Sequence, residues 1–369
     1  MMRAIGMMSG TSMDGIDIAL IETDGEAHVT RRFAGSRQYT AGEREGLAAA
    51  MVEASRMLDR TERPGTLGRI ERQLTELHAQ LVKDFLAKNG VDAASVDVIG
   101  FHGQTVLHRA EEKLTVQLGD GTLLARLTGV PVVYDMRAAD IAAGGQGAPL
   151  APAYHRAFAA KLTERPVAIL NIGGVANVTW IGDGIGEGED ILAFDTGPGN
   201  ALMDDWVSRQ SNEPYDRDGA LARTGNVDID RLSVYLKHPY LQQAAPKSLD
   251  RYDFTLRPLD GLATADGAAT LAQVTVVSVV RSVSLMPEPP KVWVICGGGR
   301  HNGFVMELLR RHLDVPVLSA EDIGLNGDSI EAEAWAYLAV RSLKGLPITF
   351  PGTTGVAAPM TGGVLARPS

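Results

Sequence analysis

The chain has a single cysteine, Cys296, in 369 residues. No disulfide can close within it, which fits a reducing compartment. Positive charge is also in short supply: 35 Lys and Arg stand against 45 Asp and Glu, a formal net charge of −10. That balance argues against broad nucleic-acid binding, which rests on stripes of Lys and Arg that neutralise phosphates. No stretch approaches the roughly 18 apolar residues of a membrane span, and Met1 to Gly10 lacks an apolar core of signal-peptide length. A cytoplasmic protein is expected, with neither membrane nor nucleic acid as a partner. Several motifs are missing too. Without G-x-x-x-x-G-K-[ST] a P-loop NTPase is excluded, without H-R-D and D-F-G a protein kinase, and without G-x-S-x-G a nucleophile-elbow hydrolase. No Cys/His cluster has zinc spacing.

What is present is ordinary in bulk, with 45% apolar and 22% charged residues, as in a globular protein. The length exceeds what one core usually supports, so two domains are expected. The most informative segment is Ile5 to Ile21, I-G-M-M-S-G-T-S-M-D-G-I-D-I-A-L-I. Apolar alternation at Ile16, Ile18 and Leu20 predicts a strand, and the turn before it gathers Gly10, Thr11, Ser12, Asp14 and Gly15. Glycines let an anion approach the backbone, N–H groups and hydroxyls donate to phosphate oxygens, and a carboxylate can hold hydrated Mg²⁺. An ordinary glycine-rich turn would use the same residues. A second copy favours function: Val167 to Ile181, V-A-I-L-N-I-G-G-V-A-N-V-T-W-I, repeats strand, glycine turn and strand. Two such hairpins predict two related lobes facing a shared ligand.

Further along, Arg32 to Tyr39 is expected as a third strand, and Glu43 to Leu58 and Leu67 to Lys88 as helices. A strand over Val96 to Phe101 would present His102, Gly103, Gln104 and Thr105 at its carboxyl end, suited to a sugar's hydroxyls and amide, although His102 could equally be a satisfied polar residue. Arg137 could pair with a substrate carboxylate, or form a surface or hinge ion pair. The glycine- and alanine-rich stretch Ala138 to Pro152 suits a crossing between lobes. The first lobe is expected over 1–140, joined by the tail 346–369, and the second over 141–345.

In that second lobe F-D-T-G-P-G-N, Phe194 to Asn200, lies where a strand stops and a helix starts. Asp195 is expected at the strand end, with N–H groups of the Gly197 to Gly199 turn and the helix start aimed at an anion. C-G-G-G-R-H-N, Cys296 to Asn302, follows another strand, and its three glycines would leave room for a flat group such as adenine. The last helix is expected from Asp328 to Leu343, with Asp328 as N-cap and Glu331 completing a capping box.

Together S-G-T-S-M-D-G-I-D (9–17), H-G-Q-T (102–105), G-G-Q-G-A-P-L (144–150), N-I-G-G-V-A-N (171–177), F-D-T-G-P-G-N (194–200) and G-G-G-R-H-N (297–302) resemble the anhydro-N-acetylmuramic acid kinase family, of the acetate/sugar kinase, Hsp70 and actin superfamily. The resemblance runs from about residue 3 to about 345. It implies an α/β fold of two RNase-H-like lobes, with mixed five-stranded sheets flanked by helices and an interlobe cleft. It also implies a reaction in peptidoglycan recycling: 1,6-anhydro-N-acetylmuramic acid, ATP and water give N-acetylmuramic acid 6-phosphate and ADP. Asp195 matches the catalytic base. Gly10, Thr11, Ser12, Met13, Asp14, Gly15, Ile16 and Asp17 match the phosphate loop, with Asp14 toward Mg²⁺. Asn171, Gly173, Gly174 and Gly197 fall in further nucleotide-side motifs, and Gly297, Gly298 and Gly299 match the adenosine-side turn. His102, Gln104, Thr105, Arg137 and Glu331 are implied on the sugar side, Glu331 also fitting a plain capping role, and a homodimer is implied. Two alternatives stand beside this reading: a kinase of the same superfamily for another sugar or an acyl acid, and a non-catalytic nucleotide-gated binding protein.

Overall fold

Alternating apolar runs form the strands, and glycine turns join them. The computed structural model describes every residue except Thr11, Ser12, 185–189 and Ser369. It contains two compact units, one made of Met1–Lys161 and Ser329–Ser369, the other lying within Leu162 to Asp328.

In the first unit β1 (Met2–Ser9), β2 (Gly15–Thr23) and β3 (Val29–Gln38) form an antiparallel meander. β4 (Val98–Arg109) pairs in parallel with β1, β5 (Leu114–Leu118) folds back on β4, and β6 (Val132–Tyr134) adds in parallel on β4. The tail strand Val364–Ala366 pairs antiparallel with β6. This sheet therefore has seven strands, not five; β5 and the tail strand are additions to a five-strand plan of order β3-β2-β1-β4-β6. The second unit repeats that plan without additions. β7 (Val167–Ile172), β8 (Val175–Ile181) and β9 (Ile191–Pro198) are the antiparallel meander, and β10 (Val292–Cys296) and β11 (Val317–Ser319) add in parallel, giving β9-β8-β7-β10-β11.

Each sheet is covered by helices. In the first unit the helix Ile330–Leu343 lies with its backbone directly on β1 and β4. A Cβ on Gly6 would come 1.9 Å from the Ala332 carbonyl oxygen, and one on Gly100 would come 2.0 Å from that of Trp335. Small residues on both sides allow this approach, and Trp335, Leu338 and Val340 of this helix are buried, each contributing about 1.5–3 kcal/mol. The expected second lobe, 141–345, includes this helix, which belongs instead to the first unit. Its start also differs from expectation. Ser329 is the N-cap, makes no side-chain cap bond, and instead donates its hydroxyl to Glu333 at 2.9 Å. That carboxylate is 3% exposed and also accepts from Arg31 at 2.9 Å and from the Tyr154 hydroxyl.

The glycine- and alanine-rich stretch expected as a crossing is pinned within the first unit. Asp140, 1% exposed, accepts from the Gly147 N–H at 2.6 Å and the Thr354 hydroxyl at 2.6 Å. The Gln146 N–H donates to the Thr354 carbonyl at 2.7 Å.

The second unit's core is centred on the helix Thr264–Ser282, whose Gly267 allows Trp206 to pack against its backbone. Contrary to the sequence expectation, Thr264–Leu285 is long and apolar enough to cross a membrane by length and composition. It is 61% buried over its most apolar stretch, as a core helix is.

Candidate functional site

The first hairpin turn leaves β1 at Ser9, whose hydroxyl donates to the Gly103 carbonyl at 2.7 Å. Thr11 and Ser12 lie outside the described residues. Met13 has φ 55° and donates its N–H to the Gly10 carbonyl at 3.2 Å, closing a tight turn. Asp14 follows: one carboxylate oxygen accepts the Gly15 N–H at 2.9 Å, and its carbonyl accepts from Tyr39 N–H at 2.9 Å. Gly15 is glycine because β3 lies against it, since a Cβ would come 2.4 Å from the Arg37 carbonyl oxygen. Ile16 is fully buried in the core, and Asp17 sits on β2 opposite Met8 and Ser36.

H-G-Q-T does not end a strand; it runs inside β4, which continues to Arg109. Gly103, at φ 70°, coincides with a register shift between β1 and β4, and such an irregularity re-aims the neighbouring side chains. Gln104 is fully buried and donates to the Gly10 carbonyl at 3.0 Å, so it braces the turn. Thr105 accepts from Gln117 at 3.3 Å on β5.

His102 is 4% exposed. Its Nδ1 lies 3.0 Å from the Ser9 carbonyl oxygen, an acceptor only, so Nδ1 carries the proton and Nε2 offers a lone pair. Arg137 donates to that nitrogen at 3.0 Å and to the Gly147 carbonyl at 2.8 Å. Burial, and next the Arg137 charge, hold the His102 pKa well below its usual value, so the ring stays neutral. Trp335 completes the cluster: its ring is 4.6 Å from that of His102, and the Arg137 guanidinium lies 5.3 Å from its centroid. Sequence reasoning missed Trp335, which no motif flags. Glu331, one turn earlier, makes no cap. Burial raises its pKa, Arg137 opposes the shift and Asp14 adds to it. Its side chain nevertheless reaches solvent, and water tempers the burial effect. The first unit thus gathers Glu331, Arg137, His102 and Trp335, with Asp14 near enough to be felt electrostatically.

In the second unit β9 carries Asp195 opposite Asn177, and the register shifts before the next pair, Ala176 with Gly197. Thr196 is the extra residue of this bulge. The Asp195 carboxylate accepts the Leu249 N–H at 2.7 Å. Burial drives its pKa up to about 7, against the lowering effects of the Leu249 bond and the Lys247 charge. The helix start beside it is not an anion cradle. Gly199, Asn200 and Ala201 donate their N–H groups to the carbonyls of Gly174 (3.0 Å), Gly173 (2.7 Å) and Gly174 (3.2 Å). Those donors lock the helix Asn200–Gln210 onto the β7–β8 turn. Gly197, φ 155°, is required by packing, because a Cβ would come 2.8 Å from the Ser278 side chain.

The three-glycine turn is less open than expected. A Cβ on Gly297 would meet the Asn171 side chain at 2.3 Å, and one on Gly299 would meet Ile172 at 2.3 Å; on Gly298 the nearest atom is 3.7 Å away. Gly298 and Gly173, with nearest atoms at 3.7 and 3.5 Å, leave space, whereas a Cβ on Gly174 would come 3.3 Å from that of Ala201. Arg300 holds this turn from behind. Its side chain is 2% exposed and bonds the Gly297 carbonyl at 2.9 Å, Glu321 at 3.0 Å and Asp328 at 2.8 Å.

Two sheets that share one five-strand plan, each opening on a glycine-turned hairpin and one carrying a carboxylate poised near neutrality, define a two-lobed α/β kinase. The chain belongs to the anhydro-N-acetylmuramic acid kinase family, whose model matches residues 2–367. It is 53% identical over 378 residues to the anhydro-N-acetylmuramic acid kinase of Methylobacterium nodulans, and 51% identical over 370 residues to that of Nitrobacter winogradskyi, covering 100% of each chain in both cases. Among solved structures, the activator of 2-hydroxyisocaproyl-CoA dehydratase from Clostridium difficile with bound ADPNP aligns over 93% of this chain and 96% of its own, at 11% identity and a TM-score of 0.47. That likeness is too slight to bear on function.

Proposed function

We propose that the protein opens 1,6-anhydro-N-acetylmuramic acid with water and transfers the ATP γ-phosphoryl group to O6, giving N-acetylmuramic acid 6-phosphate and ADP in the cytoplasmic recycling of cell-wall sugar, as a homodimer. The observation that carries this reading is Asp195: a carboxylate fixed by the Leu249 N–H whose pKa of about 7 matches the working pH of a general base. Asp195 takes a proton from water as that water attacks the anomeric carbon, on the face opposite the departing O6, as in inverting glycoside hydrolysis. O6 leaves toward phosphorus, so little acid catalysis is needed at that oxygen.

Arg137, oriented by His102 and Gly147, presents a half-buried cation to an anionic sugar substituent. Glu331 and the Trp335 face complete the sugar side. Gly10, Met13 and Asp14 form the described part of the phosphate loop, and Gly298 and Gly173 leave room on the nucleotide side. Among the described residues no three His, Cys, Asp or Glu cluster as a metal cage. This suits Mg²⁺, which keeps several waters and takes one or two carboxylates plus phosphate oxygens. Asp14 is the residue that would hold it, and the ion would neutralise phosphate charge. The test is Asp195→Asn: turnover is lost while ATP affinity by calorimetry stays within about twofold. A variant that keeps most of its activity refutes the base assignment.

A further inference from the structure

The segment Tyr240–Leu249 touches Asp195 at three points. The Tyr240 hydroxyl donates to the Asp195 carbonyl at 2.7 Å, the Asp195 N–H donates to the Lys247 carbonyl at 3.0 Å, and the Leu249 N–H donates to the Asp195 carboxylate at 2.7 Å. Lys247 also closes the segment on itself. Its ammonium, on a residue 8% exposed, donates to the Tyr240 carbonyl at 3.0 Å and lies 4.5 Å from that ring. A buried lysine is expensive unless its charge is used, yet no carboxylate lies within ion-pair distance among its described contacts. It lines a small cavity with Thr196, the bulge residue, and with Ser278, whose buried hydroxyl has no partner. Arg281 is the other cation on that cavity.

We propose that Lys247 is a positioning residue for the reaction: its buried ammonium, bonded to the Tyr240 carbonyl, locks the clasp that fixes Asp195 on its bulge. The proposal rests on the reading of Asp195 as the base. Lys247 is the cation felt by Asp195, and Asp195 in turn favours the charged form of Lys247 against burial. Tyr240 faces both; burial first, then the charges of Asp195 and Asp253, keep its phenol neutral. Motif reading passed over this segment because Lys247 acts on Asp195 through folding, far from it in sequence.

The experiment is the pH dependence of kcat for the wild type, Lys247→Gln and Lys247→Arg. Gln keeps a donor for the Tyr240 carbonyl and removes the charge. In Lys247→Gln the acidic limb moves up by about one unit, so kcat is about tenfold lower on the acid side while KM for ATP is unchanged, and Lys247→Arg restores the limb. A lower plateau with the limb unmoved is what a merely structural role gives, and it overturns the proposal. Should the Gln variant not fold, the wild type decides: the carbon-13 signal of the Lys247 ε-carbon inflects at the pH where the Asp195 carboxyl signal titrates, and its absence refutes the coupling. If Asp195→Asn stays active while the two signals of the wild type titrate together, the base assignment fails and the electrostatic link stands.

Discussion

Replacing Gly100 with alanine tests whether the close approach of the helix Ile330–Leu343 to the sheet underlies the sugar-side cluster. The added Cβ would lie 2.0 Å from the Trp335 carbonyl oxygen, where ordinary contact begins near 3.4 Å. The helix must therefore back away by about 1.4 Å, or β4 must bend. Neither neighbour is a flexible side-chain tip, because the clash is with helix backbone and the Ala339 methyl, one turn further along the same helix, stands 3.1 Å away. Overpacking of a close-packed core costs about 1–3 kcal/mol, and a backbone clash belongs at the upper end, about 3 kcal/mol. The same movement displaces Trp335 from His102 and Arg137, and a displacement of about 1 Å at a site can cost about 100-fold in rate. Trp335 is the only tryptophan of the first unit, the other three lying in the second. Urea unfolding followed by fluorine NMR of 5-fluorotryptophan protein therefore reads this unit separately. Gly42→Ala is the control: a Cβ there meets nothing within 4 Å on an exposed helix, and a gain of about 0.5–1 kcal/mol is expected. If Gly100→Ala unfolds at the wild-type midpoint with wild-type kcat, the account of this packing is wrong.

Asp195→Asn should raise stability as it removes activity. The folded pKa of Asp195, about 7, lies above its ordinary value, so the native state holds a proton that the unfolded chain releases, and wild-type stability falls as pH rises through that window. Thermal melts should show the variant about 1–3 kcal/mol more stable at mildly alkaline pH, with the two proteins converging near the ordinary carboxylate pKa; equal melts at both ends would refute the shift. Arg137→Lys keeps the charge but loses the fork that bonds His102 and Gly147 together. KM for the sugar should rise about tenfold or more with KM for ATP unchanged, and an unchanged sugar KM would remove Arg137 from the site. Arg300→Gln takes a buried cation from the exposed carboxylates of Glu321 and Asp328 and from the Gly297 carbonyl; a stability loss of about 1 kcal/mol and a weaker ATP affinity are expected, and retained ATP affinity would separate that turn from the nucleotide.

Much of this was legible along the chain. The helix Leu67–Lys88 falls where periodicity places it, and the strand Val292–Cys296 precedes the glycine run as expected, because each has one clear apolar face or run and a clear stop. The duplicated hairpins pointed to the duplicated strand order. The elements that went astray are set by distant partners. β4 runs on through H-G-Q-T because β5 folds back to pair with it, which no local pattern reveals, and a three-residue tail strand is too short to carry a period. The helix Ile330–Leu343 joins the first unit because Gly6 and Gly100, far away in sequence, leave it room. Around Asp195, glycine density was read as anion chemistry, whereas the N–H groups of Gly199, Asn200 and Ala201 are consumed by carbonyls of the β7–β8 turn. Lys247, Tyr240, Trp335 and Arg300 stayed hidden for the same reason: their partners are brought to them only by the fold.

The most direct measurement is the fate of solvent oxygen when the protein is incubated with ATP, Mg²⁺ and 1,6-anhydro-N-acetylmuramic acid in ¹⁸O-water. The account predicts stoichiometric ADP and a sugar product carrying one phosphate at O6 and one ¹⁸O at C1, and neither when Asp195 is replaced by asparagine. A phosphorylated sugar without ¹⁸O at C1, or a sugar recovered unchanged while ATP is hydrolysed, would contradict it.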